Sequence, residues 1–195
     1  MYDPAPYSAM SPMGEGRALR DRCAWGFAVA LLLLPAAASA ESPYHLGPLH
    51  EVVASSGVFE ALKDADTFEI GAEFRFAPRR FPWLPRFVPD LIPTAGTMAS
   101  SRGILYAYGG FRIELPLAER WGLGAGSAAG LYERAYGKNL NGPLEFRSHI
   151  ELSYRLDSGS RVGLCLYHLS NAGLQSGNPG SESLVFSYTA PLRRR

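Results

Sequence analysis

Apolar and polar residues alternate with a period of two in two long segments of the chain. In residues 67–76 (TFEIGAEFRF) the even-numbered side chains are apolar, and the odd-numbered ones include two glutamates and an arginine. In residues 145–156 (EFRSHIELSYRL) the odd-numbered side chains are all polar, and Ser148 is the one polar residue on the other face. This period predicts β-strands whose two faces meet different surroundings.

The length of these segments favours a membrane barrel over a soluble β-sandwich. A sandwich also alternates, with its polar face in water, but its strands usually have about five or six residues. The two segments here have 10 and 12 residues. A small membrane barrel alternates apolar-out and polar-in over about ten residues per strand. The pattern therefore predicts an all-β fold, an eight-stranded antiparallel transmembrane β-barrel of the outer membrane.

Turn-rich stretches divide the chain into eight predicted strands. Their approximate spans are 49–57, 66–77, 90–99, 103–115, 121–133, 144–156, 160–170 and 182–191. If the chain enters the barrel from the periplasm, the short connections 116–120 and 157–160 lie on that side, as in known barrels. The Pro- and Arg-rich stretch 78–89 (PRRFPWLPRFVP) would be a long periplasmic connection, with its Phe and Trp at the membrane interface.

The first forty residues have the pattern of a secretory signal peptide. Arg17, Arg20 and Arg22 precede an apolar run at 24–34, and Ala38-Ser39-Ala40 offers a cleavage site with small residues. The apolar run is too short to span a bilayer as a helix. We therefore expect a signal peptide over residues 1–40 and one barrel domain over residues 41–195.

Charge and cysteine content exclude several other classes of protein. The chain has 19 basic and 18 acidic residues and a formal charge of +1, without the basic block that nucleic-acid binding needs. Outside the leader Cys165 is the only cysteine, so we expect a buried thiol rather than a disulfide framework or a nucleophile. His45, His50 and His149 are scattered, which predicts neither a metal site nor a cofactor.

Charged residues on the inward face of the predicted strands should fill the barrel. An eight-stranded barrel is narrow enough for side chains to plug it, so an ion-pair network is favoured over a polar pore. The residues with this predicted orientation are Glu69, Glu73, Arg75, Arg112, Glu114, Arg147, Glu151 and Arg155.

The segment 161–192 contains the residues with catalytic potential. Val162, Leu164 and Leu166 share a parity with His168 and Ser170, and Glu182 shares a parity with Leu184, Phe186 and Tyr188. The aliphatic members of each set should face lipid, so His168, Ser170 and Glu182 should lie on the lipid-facing wall near the outer rim.

These three residue types are those of a nucleophile, a base and an orienting acid. Polar groups that face hydrocarbon cost free energy unless they are paired. The alternative is that rim residues of barrels are polar because they meet lipid headgroups, and parity alone leaves the two interpretations about equal.

The motif His168-Leu169-Ser170-Asn171-Ala172-Gly173, followed by Asn178 and Glu182, resembles the signature of the lipid A 3-O-deacylases, the PagL family. That signature is His-x-Ser-Asn-Ala-Gly with an acidic residue at a fixed distance, and here the acid falls twelve residues after the serine. The resemblance is strongest over residues 161–192. The x of the motif is often aromatic in the family, and here it is Leu169.

The resemblance implies a serine esterase that hydrolyses the 3-O-linked 3-hydroxyacyl chain of lipid A in the outer leaflet of the outer membrane, without a cofactor. It implies that Ser170 is the nucleophile, His168 the general base and Glu182 the orienting acid. Asn171 and Asn178 match positions that form or shape the oxyanion site, with backbone N–H groups near Asn171 and Ala172. Its partners would be lipid A and the membrane, and a homodimer is compatible with the sequence. The alternatives are a structural barrel without activity, and an esterase or phospholipase that acts on another lipid.

Overall fold

The structure, a computed structural model, describes residues 49–62 and 67–192. It contains eight strands: β1 (His50–Phe59), β2 (Thr67–Arg75), β3 (Ile92–Ser100), β4 (Ile104–Pro116), β5 (Trp121–Arg134), β6 (Leu144–Arg155), β7 (Arg161–Ser170) and β8 (Ser181–Leu192). Each strand pairs antiparallel with the next, and β8 pairs with β1 to close the barrel. All eight predicted strands are confirmed. The predicted signal peptide, residues 1–40, lies outside the described residues and stays a prediction.

The faces of the strands are arranged as in a membrane barrel. On β2, Glu69, Glu73 and Arg75 are buried, while Phe68 and Ile70 are 54% and 55% exposed. The same alternation of buried polar and exposed apolar positions continues along β6. A soluble barrel would bury its apolar face instead, so the predicted transmembrane fold is confirmed. In the part of the chain that is described, no helix is long and apolar enough to cross a membrane.

An ion-pair network fills the middle of the barrel, as predicted. Glu151 Oε2 accepts from Arg75 Nη2 at 2.9 Å and lies 2.7 Å from Arg112 Nη1. Arg75 Nε also donates to Glu73 at 2.7 Å, and Arg112 Nη2 donates to Glu114 at 3.0 Å. Because each of these charges has partners of opposite sign, burying them does not leave an isolated ion in a medium of low dielectric constant.

Towards the extracellular end, apolar and aromatic side chains pack around the buried Glu69 and Glu145. This inner cluster includes Phe59, Ile104, Tyr132, Leu140 and Leu169. Leu140 comes from the connection between β5 and β6 and is only 1% exposed, so that loop turns inward over the barrel. Side chains of the described residues therefore fill the interior along its length.

The connections differ in length between the two ends. The turns 117–120 and 156–160 lie at the end where the chain enters the barrel, which corresponds to the periplasmic end. The segment 76–91 is at the same end and is much longer. At the extracellular end, residues 135–143 and 171–180 form loops, and β3 and β4 are joined by a short turn at 101–103.

Replacing Glu151 with Gln should destabilise the barrel strongly. The change keeps the side-chain volume but leaves Arg75 and Arg112 without their shared carboxylate, which should lower the free energy of unfolding by about 3–5 kcal/mol. Urea unfolding in phospholipid vesicles, followed by tryptophan fluorescence, measures it. Asp157→Asn is the control, since its ion pair with Arg120 lies on an exposed turn. An unchanged midpoint for Glu151→Gln would contradict this role of the network.

Candidate active site

His168 and Glu182 are in contact on the outer wall near the extracellular end. They are direct cross-strand partners in the register of β7 and β8. The Nδ1 atom of His168 lies 3.2 Å from Oε1 of Glu182, and the two side chains are 37% and 29% exposed. A carboxylate on Nδ1 orients the imidazole and stabilises its charged form, which leaves Nε2 for a reacting group.

Ser170 lies two residues beyond His168 on the same face of β7, where the strand ends. Residues i and i+2 of a strand are separated by roughly 7 Å at Cα, so the two side chains project from the same face within reach of each other. Across the sheet, Ser170 pairs with Phe146 of β6. The outward orientation expected from parity is confirmed, because the intervening Leu169 is fully buried inside the barrel.

A row of polar residues crosses the outer wall at the level of His168. Ser127 of β5 pairs with Ser148 of β6, Ser148 pairs with His168, and His168 pairs with Glu182. Both serines are exposed on the outward face. We call these four residues the polar row. Ser148 is notable because cross-strand partners have Cβ atoms about 4.5–5.5 Å apart, so it is a second hydroxyl beside His168.

The next row towards the periplasm is entirely apolar. Ala125 pairs with Ile150, Ile150 with Leu166, and Leu166 with Leu184. The polar row therefore lies at the boundary of the apolar band on β7 and β8, whereas on β5 and β6 the exposed Leu131 and Leu144 continue the apolar wall beyond it. Sequence reasoning noted the isolated Ser148 on an apolar face, but it did not relate that serine to His168, because the register between β6 and β7 was not known.

The loop between β7 and β8 is organised by Asn171, which is fully buried. Its Nδ2 donates to the carbonyl oxygens of Leu140 and Gly177 at 3.0 and 2.9 Å, and its Oδ1 accepts from Gly173 N at 2.9 Å. The next residue, Ala172, has a positive φ of 53°, which costs an alanine energy and requires support from its surroundings. The Asn171 side chain thus holds the loop beside Ser170 and does not itself point at the wall.

Asn178 is held against the backbone of Asn171. Its Oδ1 accepts from the Asn171 N–H at 3.2 Å. The sequence-based hypothesis assigned oxyanion binding to the backbone N–H groups near Asn171 and Ala172. The hydrogen bond to Asn178 already occupies the N–H group of Asn171. Because Oδ1 of Asn178 is committed to the backbone, its Nδ2 group is the part of that amide that can donate to a ligand.

Gly180 makes close contact with the imidazole of His168, which sequence reasoning missed. A Cβ atom added at Gly180 would lie 2.7 Å from Cε1 and 3.3 Å from Nε2 of His168. Gly180 also has a positive φ of 52°. The sequence assigned this glycine to loop conformation alone, since nothing in its neighbours Pro179 and Ser181 indicates contact with a ring twelve residues away.

The other histidines and the cysteine of the described residues lie apart from the His168–Glu182 pair. Within 49–62 and 67–192, no group of three His, Cys, Asp or Glu side chains could hold a metal ion. Cys165 is a free thiol, buried at 4% exposure inside the barrel, as expected. His149 is buried in the interior, and His50 accepts from Ala77 N at 3.2 Å at the periplasmic end.

Comparison with known proteins confirms the resemblance to the PagL family. The family model of lipid A 3-O-deacylase (PagL) matches residues 106–191, which include every candidate site residue. The lipid A deacylase PagL of Bordetella bronchiseptica is 36% identical over 52 residues, 27% of this chain and 29% of that protein. The lipid A deacylase PagL of Pseudomonas aeruginosa is 36% identical over 69 residues, 35% of this chain and 40% of that protein. The matched regions therefore span less than half of the length of these curated relatives.

Solved structures share the fold over a larger part of the chain. The crystal structure of the outer membrane enzyme PagL matches with a TM-score of 0.55 and 23% identity, over 73% of this chain and 99% of that one. A de novo designed transmembrane β-barrel matches with a TM-score of 0.53 and 7% identity, over 76% of this chain and 98% of that one. Because a designed barrel fits almost as well, these structural matches identify the fold and not the activity.

Replacing Gly180 with Ala should displace His168. Both a positive φ and the close Cβ contact oppose the substitution, so we expect the ring to move and the 3.2 Å contact with Glu182 to lengthen. Histidine side-chain NMR or a crystal structure of the variant measures the change. Gly159→Ala is matched, because Gly159 has a φ of +85° and its added Cβ would meet nothing within 4 Å. An unmoved His168 in Gly180→Ala would show that the contact is easily relieved.

Proposed function

We propose that this chain, a barrel with the motif of the PagL family, is a lipid A 3-O-deacylase of the outer membrane. It hydrolyses the ester of the 3-O-linked 3-hydroxyacyl chain, with Ser170, His168 and Glu182 as the catalytic triad. The observation that carries the proposal is the contact between His168 Nδ1 and Glu182 Oε1 on the lipid-facing wall, with Ser170 on the same face. A barrel that only fills a structural role does not need an ionisable pair facing the bilayer.

The position of the site fits a substrate that never leaves the membrane. On β7 and β8, His168 and Glu182 lie at the upper boundary of the apolar band, beside the extracellular loops. The ester of a lipid anchored in the outer leaflet lies at about this level, since its acyl chains enter the hydrocarbon while its sugar stays among the headgroups. The substrate can therefore reach Ser170 by lateral diffusion, and the filled interior of the barrel takes no part in binding.

In the acylation step, His168 Nε2 takes the proton of the Ser170 hydroxyl as Oγ attacks the acyl carbonyl carbon. Glu182 on Nδ1 stabilises the imidazolium that forms. The tetrahedral intermediate collapses when the bond to the sugar oxygen breaks, and His168 returns its proton to that oxygen. The products of this step are the sugar hydroxyl and an acyl ester on Ser170.

Deacylation follows the same route with water as the nucleophile. His168 takes a proton from water as its oxygen attacks the acyl ester, and it then returns the proton to Ser170 Oγ. The step releases the 3-hydroxy fatty acid and regenerates the serine. Negative charge develops twice on the carbonyl oxygen, and the Asn178 Nδ2 group is the donor that we assign to it, because the Asn171 N–H holds the other end of this amide.

Ser170→Ala should abolish the loss of a 3-hydroxyacyl chain, whereas Ser148→Ala should retain it. Loss of the nucleophile should lower the rate by about 10⁴-fold or more. Ser148→Ala is a matched control, since both hydroxyls lie beside His168 on the outer wall. Mass spectrometry of lipid A from cells that express each variant at equal barrel levels measures the outcome.

The other possible results of this experiment distinguish the alternative nucleophile, substrate and function. Activity that depends on Ser148 and not on Ser170 would show that Ser148, rather than Ser170, is the nucleophile. Lipid A that stays unchanged with the unaltered chain, folded and inserted, would contradict the proposed substrate. Release of fatty acid from phospholipid instead would favour the esterase or phospholipase alternative, and no hydrolysis of either lipid would favour a structural barrel.

The Asn178→Asp variant should distinguish the role of the side-chain oxygen of Asn178 from the role of its Nδ2 group. Aspartate keeps an oxygen to accept from the Asn171 N–H, but it replaces the Nδ2 donor with negative charge. We expect kcat to fall by about 10²–10³-fold or more, as for the loss of an oxyanion donor, with KM little changed. Steady-state kinetics on lipid A in mixed micelles measures both constants. A variant with full kcat would exclude the Asn178 side chain from the oxyanion site.

A further inference from the structure

The periplasmic end carries an unusually long connection, residues 76–91, which we call the strap. Connections of this length inside a compact domain are uncommon unless they have a function, and periplasmic turns of such barrels are short. The strap contains four prolines and three arginines. Two large aromatic side chains in it, Trp83 and Phe87, are each 72% exposed. The proposed active site lies at the opposite end of the barrel from these residues.

The strap has a defined conformation. Its two ends are joined by a pair of backbone hydrogen bonds between Arg79 and Leu91, at 2.8 and 3.0 Å. The Arg80 guanidinium lies inside it and donates to the carbonyl oxygens of Val88 and Pro85. Arg80 also lies 3.7 Å from Asp90. The exposure of Trp83 and Phe87 is therefore built into an ordered segment that has its own internal hydrogen bonds.

The first half of the strap lies against the outer wall. The ring of Phe81 meets Phe111 edge to face at a centroid distance of 6.3 Å, and it lies 5.6 Å from Trp83. Phe111 is on the outward face of β4 and is 48% exposed. The aromatic surface of the strap is thus continuous with the lipid-facing wall, rather than with the interior of the barrel.

A second aromatic pair marks the same end of the barrel. Trp121, at the start of β5, packs edge to face against Tyr154 near the end of β6, with ring centroids 5.0 Å apart. Trp and Tyr concentrate where a membrane meets water. The strap adds exposed arginines to this belt, Arg79 and Arg86, whose planar guanidinium groups match the geometry of phosphate oxygens.

We propose that the strap is a phospholipid-binding anchor, which seats Trp83 and Phe87 among the lipids of the periplasmic leaflet and pairs Arg79 and Arg86 with their phosphates. The strap therefore binds to the surface of a membrane that contains anionic phospholipid. Two observations support binding to such a surface. Phe81 is continuous with the lipid-facing wall, and the strap has three arginines against the single Asp90. The proposal is independent of the enzymatic one and holds for an inactive barrel as well.

A protein with one tryptophan tests the position of the strap directly. The chain has three tryptophans, so Trp25→Phe with Trp121→Phe leaves Trp83 alone without altering the strap. The protein is inserted into phosphatidylcholine–phosphatidylglycerol vesicles with bromine near either end of the acyl chain. We expect several-fold stronger quenching of Trp83 by bromine near the carbonyl end, and protection from iodide in water. Trp25→Phe with Trp83→Phe, which leaves Trp121, is the control for an interfacial tryptophan.

Efficient quenching by iodide and none by bromine would overturn the proposal, and would leave the strap free for a partner in the periplasm. The arginines have a separate test in the protein that retains Trp83. Arg79→Gln with Arg86→Gln should remove the extra bromine quenching that phosphatidylglycerol produces over pure phosphatidylcholine. The control is Arg102→Gln with Arg134→Gln, which removes equal charge at the extracellular end. Equal quenching in both double variants would exclude recognition of phosphate by the strap.

Discussion

The shared carboxylate of Glu151 is the interaction on which the rest of the barrel depends. It lies between Arg75 and Arg112, guanidinium groups from two other strands, in the middle of the interior. Each of these charges would be costly to bury alone. Together they allow the middle of a narrow barrel to be filled with polar side chains, while the outward apolar side chains face lipid. Because side chains fill the interior, the candidate catalytic residues lie on the outer wall, where they can meet a lipid from the side.

On that wall the proposed catalytic residues are positioned by strand register rather than by a pocket. His168 faces Glu182 because the antiparallel register of β7 and β8 makes these two residues direct cross-strand partners. The loop between the two strands then supplies Asn178 from one side and the close contact of Gly180 from the other. A segment of 15 residues, from His168 to Glu182, therefore carries the whole proposed site. This explains why so short a motif is informative in a chain whose matches to its relatives cover so little of their length.

The sequence predicted the strands, their inward and outward faces and the candidate residues, because each of these follows from a period of two or from a local motif. An interior network of charged residues that includes Glu73, Arg75, Arg112 and Glu151 also followed from the parity, although the individual pairs did not. Other contacts could not be predicted, since they depend on the register between strands. The bidentate ion pair of Arg161 with Glu51 joins residues 110 positions apart. The proximity of Ser148 to His168 depends on the register between β6 and β7. The engagement of the Asn171 N–H by Asn178 depends on the loop conformation, which a motif does not encode.

The polar row also changes the hydrophobic thickness of the barrel from one side to the other. Phe68 and Leu105, the second residues of β2 and β4, are exposed and apolar, whereas Glu182 holds the same place in β8. The apolar band thus reaches the extracellular rim on β2 and β4, and also on β5 and β6 through Leu131 and Leu144, but it stops below the rim on β7 and β8. A bilayer adapts to such a mismatch by thinning beside the shorter band. The outer leaflet should therefore dip towards His168, which brings the headgroup region, and the esters just beneath it, down to the level of the proposed nucleophile.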